Sequence, residues 1–382
     1  MLYALVLASL MSDLGMDRAT GGMLGSLTLA ASAAGGVLFG VIADRWGRTR
    51  ALSLSIIIYS VFTALCGVAQ NVTQLAVFRL FLGIGMGGEW ASGAALVSET
   101  WPAEHRGKAL GLMQSCWAIG YGAAAIVVAL VMPVFGWRAV FLVGIVPALL
   151  TWWIRRSVDE PELWLQRTHI APAAPGAPGA RSALPGAMSG LWPLTAALTL
   201  MNGATMFAWW GLNLWIPSYL SLPIAEGGIG LSTVVMSAFV VAMQVGMWFG
   251  YVTFGFVSDR FGRKPTYVVY LLSAAVLVFA YGMVRTPGAL LVLGPFVAFF
   301  GTGYFSGFGA ITAEIYPTSI RATAQGFTYN IGRLASASAP FVVGAMAQES
   351  GFGAAFTMTA LAYLTAAAFW WFIPETKGRA LA

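Results

Sequence analysis

Long stretches almost free of charge alternate along this chain with short islands where charge is concentrated. Apolar runs occupy residues 21–43, 51–69, 72–98, 108–131 and 137–154, then 191–222, 232–257, 266–284, 288–313, 322–347 and 354–373. Each is long enough for a helix to cross a hydrocarbon layer of ~30 Å. Backbone groups in that layer must bond within the protein, and continuous rather than alternating hydrophobicity selects helices over a closed barrel. Eleven crossing helices are therefore predicted. The apolar run at the start differs: loop signals begin near Ser12, leaving about 11 residues, or ~16 Å of helix. Its repeat mate at 191–222 extrapolates to a start before residue 1, so the expectation is a first helix lacking roughly its first two-thirds. A signal peptide is the rival reading of residues 1–10, but no basic residue precedes them.

The charged islands repeat. Gly40-x-x-x-Asp44-Arg45-x-Gly47-Arg48 returns as Gly255-x-x-x-Asp259-Arg260-x-Gly262-Arg263, an offset of 215. Glu99, Pro102, Arg106 and Gly111 return at the same offset as Glu314, Pro317, Arg321 and Gly326. A duplicated membrane domain with charge confined to its loops is the pattern of a two-halved secondary transporter. The expected organisation is an N-terminal bundle over 1–154, a linker over 155–190 and a C-terminal bundle with a short tail over 191–382. The linker passes into an Ala/Pro/Gly-rich run that cannot build a core and reads as a flexible tether.

Composition agrees: 59% of residues are hydrophobic and 9% charged, against about 25% charged in a soluble protein. The net charge of +6 is spread over short loops rather than gathered on one face, so nucleic acid is not an expected partner. Fifteen Lys and Arg residues fall in loops on the side of the repeated islands, against Arg18, Arg138 and Arg285 on the other. By the positive-inside rule the islands, the linker and the C-terminus are cytoplasmic. Cys66 and Cys116 both lie in apolar stretches and read as small core residues.

The two Gly-x-x-x-Asp-Arg-x-Gly-Arg loops resemble the cytoplasmic loop motif of the major facilitator superfamily, and Arg79-x-x-x-Gly83-x-Gly85-x-Gly87-Gly88 resembles its fourth-helix motif. Glu314-x-Tyr316-Pro317…Arg321 and Pro374-Glu375-Thr376-Lys377-Gly378 are similar to sugar-porter motifs. Gly85-Met-Gly-Gly-Glu89-Trp90, Trp101-Pro102 and the run from Arg321 to Arg333 look most like the sialate/lactate-type carboxylate:proton symporters. The resemblance implies an all-α integral membrane fold of two six-helix bundles and proton-coupled uptake of a small organic acid by alternating access. It also implies acidic groups on the first helix of related acid porters, which this chain does not carry.

Candidate chemistry sits on the few polar residues inside the spans. Glu89 lies ten residues from Glu99, ~15 Å into the membrane. A carboxylate at that depth should be paired or protonated, which suits proton coupling; a structural ion pair is the alternative. Arg333, twelve residues from Arg321 and ~18 Å deep, offers the bidentate geometry a carboxylate substrate needs. Asn330 shares its face. A static Arg–Glu pair is the alternative. Arg79 is assigned proton tuning by the resemblance, with a structural role equally open. Gln114, Trp117 and Tyr121 form a stripe on the fifth span, Asn202, Trp209, Asn213 and Trp215 stud the seventh, and Tyr304 lies in the tenth. Of these Gln114, Trp117, Tyr121, Trp209, Asn213 and Tyr304 are expected at the substrate. Asp44, Arg45, Arg48, Asp259, Arg260 and Arg263 are assigned to gating, with Asp44 and Asp259 facing helix N-termini. Glu99–Arg106 and Glu314–Arg321 are expected as latches.

Gly83-x-Gly85-x-x-Gly88 matches a dinucleotide fingerprint in letters only, since no strand precedes it; glycines there permit close helix packing. The sequon at Asn71 carries little weight outside a secretory context. His105 and His169 are isolated, no Walker-type loop occurs, and neither metal, cofactor nor enzymatic chemistry is expected. Partners are a small organic anion, protons and lipid, with the chain a monomer in a bacterial cytoplasmic (inner) membrane. A neutral-sugar or aromatic-acid porter and a truncated, non-transporting membrane protein remain as alternatives.

Overall fold

The computed structural model describes residues 1–101, 103–161, 165, 190–317 and 321–378, and all regular secondary structure among them is helical. The helices are α1 (Leu2–Leu14), α2 (Arg18–Trp46), α3 (Arg48–Cys66), α4 (Val72–Thr100), α5 (Ala103–Val143) and α6 (Val146–Ser157). The second half holds α7 (Trp192–Ser221), α8 (Thr233–Phe261), α9 (Arg263–Met283), α10 (Pro287–Thr302), α11 (Phe305–Ile315), α12 (Arg321–Ser336) and α13 (Ala339–Phe369). α5 and α13 each turn back on themselves at a glycine with positive φ, Gly136 and Gly351. α10 continues into α11, and α12 into the first part of α13. Among the described residues each of the eleven apolar runs is thus occupied by helix. α1, 13 residues long, spans ~20 Å.

The 215-residue repeat is built into the backbone. Gly47 and Gly262 adopt φ/ψ of 107°/153° and 108°/154°. Asp17 and Ser232, also 215 apart, cap the N-termini of α2 and α8 with their side chains. Two pseudo-equivalent bundles result. α4 packs on α2 and α3 in the first, α8 on α10 and α7 on α12 and α13 in the second, and the bundles meet along an α2–α13 seam and an α5–α8 seam. The α4 glycines serve packing: a Cβ at Gly87 would fall 1.9 Å from the Ser32 carbonyl oxygen, and one at Gly83 2.5 Å from that of Thr28.

Both seams are closed at the end where α2 begins and open at the end carrying the repeated loops. A Cβ at Gly22 would lie 2.3 Å from the Pro340 carbonyl oxygen, whereas Gly40, lower on the same face of α2, and Gly326 on α12 have no described neighbour within 4 Å. On the other seam Gly122 approaches Gln244 at 3.7 Å, and Gly111 and Gly255 again meet nothing. The molecule is thus splayed toward its loop-motif face.

Two expectations change. Cys116 is exposed rather than in the core, whereas Cys66 is buried. Helix α6 runs through Ser157, past the start expected for the linker at 155; most of that linker, His169 included, lies outside the described residues.

Candidate functional site

Polar groups from both bundles converge where α5, α8, α10 and α12 approach one another. The Gln114 side chain of α5 and Thr302 of α10 lie close to the Tyr251 hydroxyl of α8. Tyr251 lies within electrostatic reach of Tyr329, Tyr304 and Tyr363. Tyr329 in turn neighbours Arg333, one turn along α12. Arg333 is buried, and among the described residues its guanidinium has neither a hydrogen bond nor an ion pair. Pro340, just past the end of α12, is what Gly22 of α2 meets, so the segment following Arg333 packs against the opposite bundle. Its expected companion Asn330 instead donates to the Gly326 carbonyl of its own helix at 2.9 Å.

The aromatic stripe on α5 divides. Trp117 sets its ring edge-on to Trp210 of α7 at 5.7 Å, and its indole N–H is buried without a partner among the described residues. The Tyr121 hydroxyl donates to the Asn213 carbonyl of α7 at 3.4 Å. That carbonyl is available because Pro217, four residues on in α7, has no N–H to give it. Tyr121, Trp209, Asn213, Pro217 and Gln244 enclose a cavity of ≈ 10 Å³, room for about one water. Asn202 is structural, donating to the Thr328 and Tyr329 carbonyls of α12. Trp215 is likewise tied, through its indole N–H, to the Pro340 carbonyl at 2.9 Å. Tyr304 is buried, with its hydroxyl on the Thr205 carbonyl at 3.4 Å.

Glu89, expected to be paired or protonated, forms no ion pair among the described residues and is exposed. Leu75 and Leu82, two heptads and one heptad away on the same face of α4, pack into the core, whereas Val77, Leu80 and Phe81 form the outward apolar face. The Glu89 carboxylate therefore looks inward into space open to solvent, with Tyr59 of α3 as an electrostatic neighbour. Arg79 sits apart from it. Its guanidinium stacks on the Tyr3 ring at 3.5 Å and its Nε donates to the Leu24 carbonyl at 3.1 Å, tying α1, α2 and α4 together.

The loop-motif face carries the same arginine–glutamate pair twice. Arg48 pairs with Glu99 at 2.9 Å and Arg263 with Glu314 at 3.0 Å, each through two guanidinium nitrogens. Asp259 also pairs with Arg263. Glu99 and Glu314 thus have partners on α3 and α9, while the latches expected with Arg106 and Arg321 fall on side chains outside the described residues. The side chains of Asp44, Arg106 and Arg321 lie outside the described part of the structure. Arg45 and Arg260 are exposed, Arg260 over the Phe261 ring. The helix N-termini are served not by Asp259 but by two carboxylates the motif reading passed over. Glu160 accepts from the backbone N–H groups of Thr49 and Arg50, and Glu375 from those of Arg263 and Lys264. Burial works against ionisation of Glu375, but backbone N–H donors from Lys377, Arg263, Lys264 and Thr376 outweigh it and hold its carboxyl below the usual range.

Glu160 and Glu375 are 215 apart, as are Gln114 and Tyr329, and Glu89 and Tyr304. Applying the offset beyond the loop motifs would have found Glu160 and Tyr329; Tyr251 leaves no signal, since its counterpart is Gly36.

Comparison with known proteins bears on what such a molecule does. Residues 1–252 and 220–381 match the family model described as Major Facilitator Superfamily. The chain is 32% identical to the cis,cis-muconate transport protein of Acinetobacter baylyi, over 95% of this chain and 87% of that one. It is 30% identical to the niacin transporter of the same organism, over 100% and 91%. Its fold is similar to the crystal structure of a D-xylose–proton symporter, with a TM-score of 0.79 at 21% identity over 100% of this chain and 96% of the other.

Proposed function

The chain belongs to the Major Facilitator Superfamily, and from that premise we propose that it is a symporter taking up a small organic anion together with protons by alternating access. It is a multi-pass membrane transporter and not an enzyme. The observation that carries the anion is Arg333, a buried guanidinium without a partner among the described residues. A charge in that position is costly unless something negative reaches it, and a carboxylate fits its planar fork. Gln114, Tyr251 and Tyr329 supply the polar and aromatic surroundings. Muconate and niacin, which the names of the two relatives specify, are carboxylic acids.

In the proposed cycle Glu89 takes a proton from the outside, the anion docks at Arg333, and the bundles rock about the two seams. Substrate and proton then leave through the splayed loop-motif face, which the positive-inside count makes cytoplasmic. Residues 1–154 and 191–382 are the moving bodies, and 155–190 tethers them. One chain holds the whole site and works as a monomer in the bacterial cytoplasmic membrane.

Counterflow in proteoliposomes with muconate, niacin, lactate, sialate and a neutral hexose tests the reading. Removing one member of a buried charge pair costs about 2–5 kcal/mol, so Arg333→Ala should abolish acid exchange. Arg333→Lys should retain a small fraction, its single ammonium lacking the fork. Full acid exchange by Arg333→Ala would rule out this binding role.

A further inference from the structure

Arg18, at the N-terminus of α2, reaches across to the other bundle and is absorbed by none of the chemistry above. One guanidinium nitrogen donates to the Ala347 carbonyl at 2.6 Å and the other to the Glu226 carbonyl, while the group lies over the Phe352 ring at 4.8 Å. Ala347 is four residues before the break at Gly351, where a helix ends with unpaired carbonyls and the negative pole of its dipole. Neighbouring contacts join the same seam. The backbone N–H of Ala19 donates to Gln348 Oε1 at 3.1 Å, Gln348 also bonds Asp17, and the Phe341 N–H donates to Ser26 Oγ at 3.1 Å. The repeat provides no second copy, because the position 215 residues on is Thr233. Elsewhere between the bundles, Tyr121 of α5 bonds the Asn213 carbonyl of α7.

We propose that Arg18 is the latch that holds the face opposite the loop motifs shut, and that it sets the balance between the two access states from one seam alone. Opening that face swings the start of α2 away from α13, and this motion must break both carbonyl bonds and the contact with Phe352. Both hydrogen-bond acceptors are main-chain, so side-chain substitution in the second bundle cannot remove those bonds, and the Glu226 carboxylate adds its own attraction to Arg18. The inference rests on the alternating-access reading, but its test reads the gate without any solute.

Spin labels at Met23 and Glu349, both exposed, in a Cys66→Ala/Cys116→Ser background in lipid nanodiscs would report the distance across the seam. The parent should show one dominant short distance. Arg18→Ala should raise a longer-distance population at least about fivefold, with Arg18→Lys between the two. Phe352→Leu, which leaves both carbonyl bonds in place, should shift the distribution the same way by less and serves if Arg18→Ala does not fold. Distributions unchanged from the parent in Arg18→Ala, or in Phe352→Leu if that alone folds, would overturn the latch. Transport by the parent has no bearing on that result.

Discussion

Two ionisable side chains inside the spans face the interior in opposite circumstances. Arg333 is buried and waits for a counter-charge among the described residues, whereas Glu89 is open to solvent on the inward face of α4. A binding group needs to be shielded so that its attraction is not lost to water, and a proton carrier needs access to a water-filled path. Glu89→Gln keeps the size and removes the titration. It should reduce uptake driven by an imposed pH gradient at least about tenfold, equivalent to ~1.4 kcal/mol, while solute counterflow at equal pH continues. Undiminished gradient-driven uptake would exclude Glu89 as the coupling group. Both residues stand out in sequence because a charge within an apolar run is conspicuous. Tyr251 and Tyr329 do not stand out, because an aromatic residue in an apolar stripe looks the same whether it packs or binds. Tyr121 shows a further role that its position does not reveal: a proline on another helix frees the carbonyl that lets it link the bundles.

At the scale of elements, the starts of α3 and α9 show how one design is met twice with different residues. Gly47 and Gly262 occupy a backbone region that side chains rarely adopt, and a Cβ there would also meet Glu160 at 2.3 Å or Glu375 at 2.7 Å. Glu160 binds the N–H groups of residues 49 and 50, but the counterpart of Arg50 is Pro265, which has no N–H. Glu375 therefore shifts by one residue, to 263 and 264. The glycine–arginine motif was legible; its acidic partner was hidden because Asp159-Glu160-Pro161 and Pro374-Glu375-Thr376 share little but the carboxylate. Glu375→Ala should lower stability in detergent by about 1 kcal/mol at neutral pH, the worth of a helix cap. Because the folded state depresses this acid, its contribution is complete above the unfolded value near ~4.3 and is lost as pH falls through the lower folded value. The gap between variant and parent should thus close in acid; a gap that is the same at pH 7 and pH 3 would show that the charge plays no part.

On the scale of the whole molecule, the repeat and the charge asymmetry sufficed for two bundles, helix over each of the eleven apolar runs and a transport fold. They carried no record of which face is closed, because that depends on how the bundles lean. The pressed glycine at Gly22 and the open ones at Gly40, Gly111, Gly255 and Gly326 supply it. Each bundle is tied internally by its own arginine–glutamate network, which stays intact while the loop-motif face is open. In the proposed cycle the networks stiffen each bundle as a rocking body, and the seams do the opening. Rocking of stiff bodies about a central site couples solute and proton only if both bind in the same cycle.

External pH above proteoliposomes bearing this chain measures that coupling directly when a small organic acid is added under a solute gradient and no pH gradient. The account predicts alkalinisation outside the vesicles with an acid the protein carries, none with a neutral hexose, and none with acid in Arg333→Ala. Carriage of an acid with no accompanying proton movement, or alkalinisation driven equally by hexose, would contradict it.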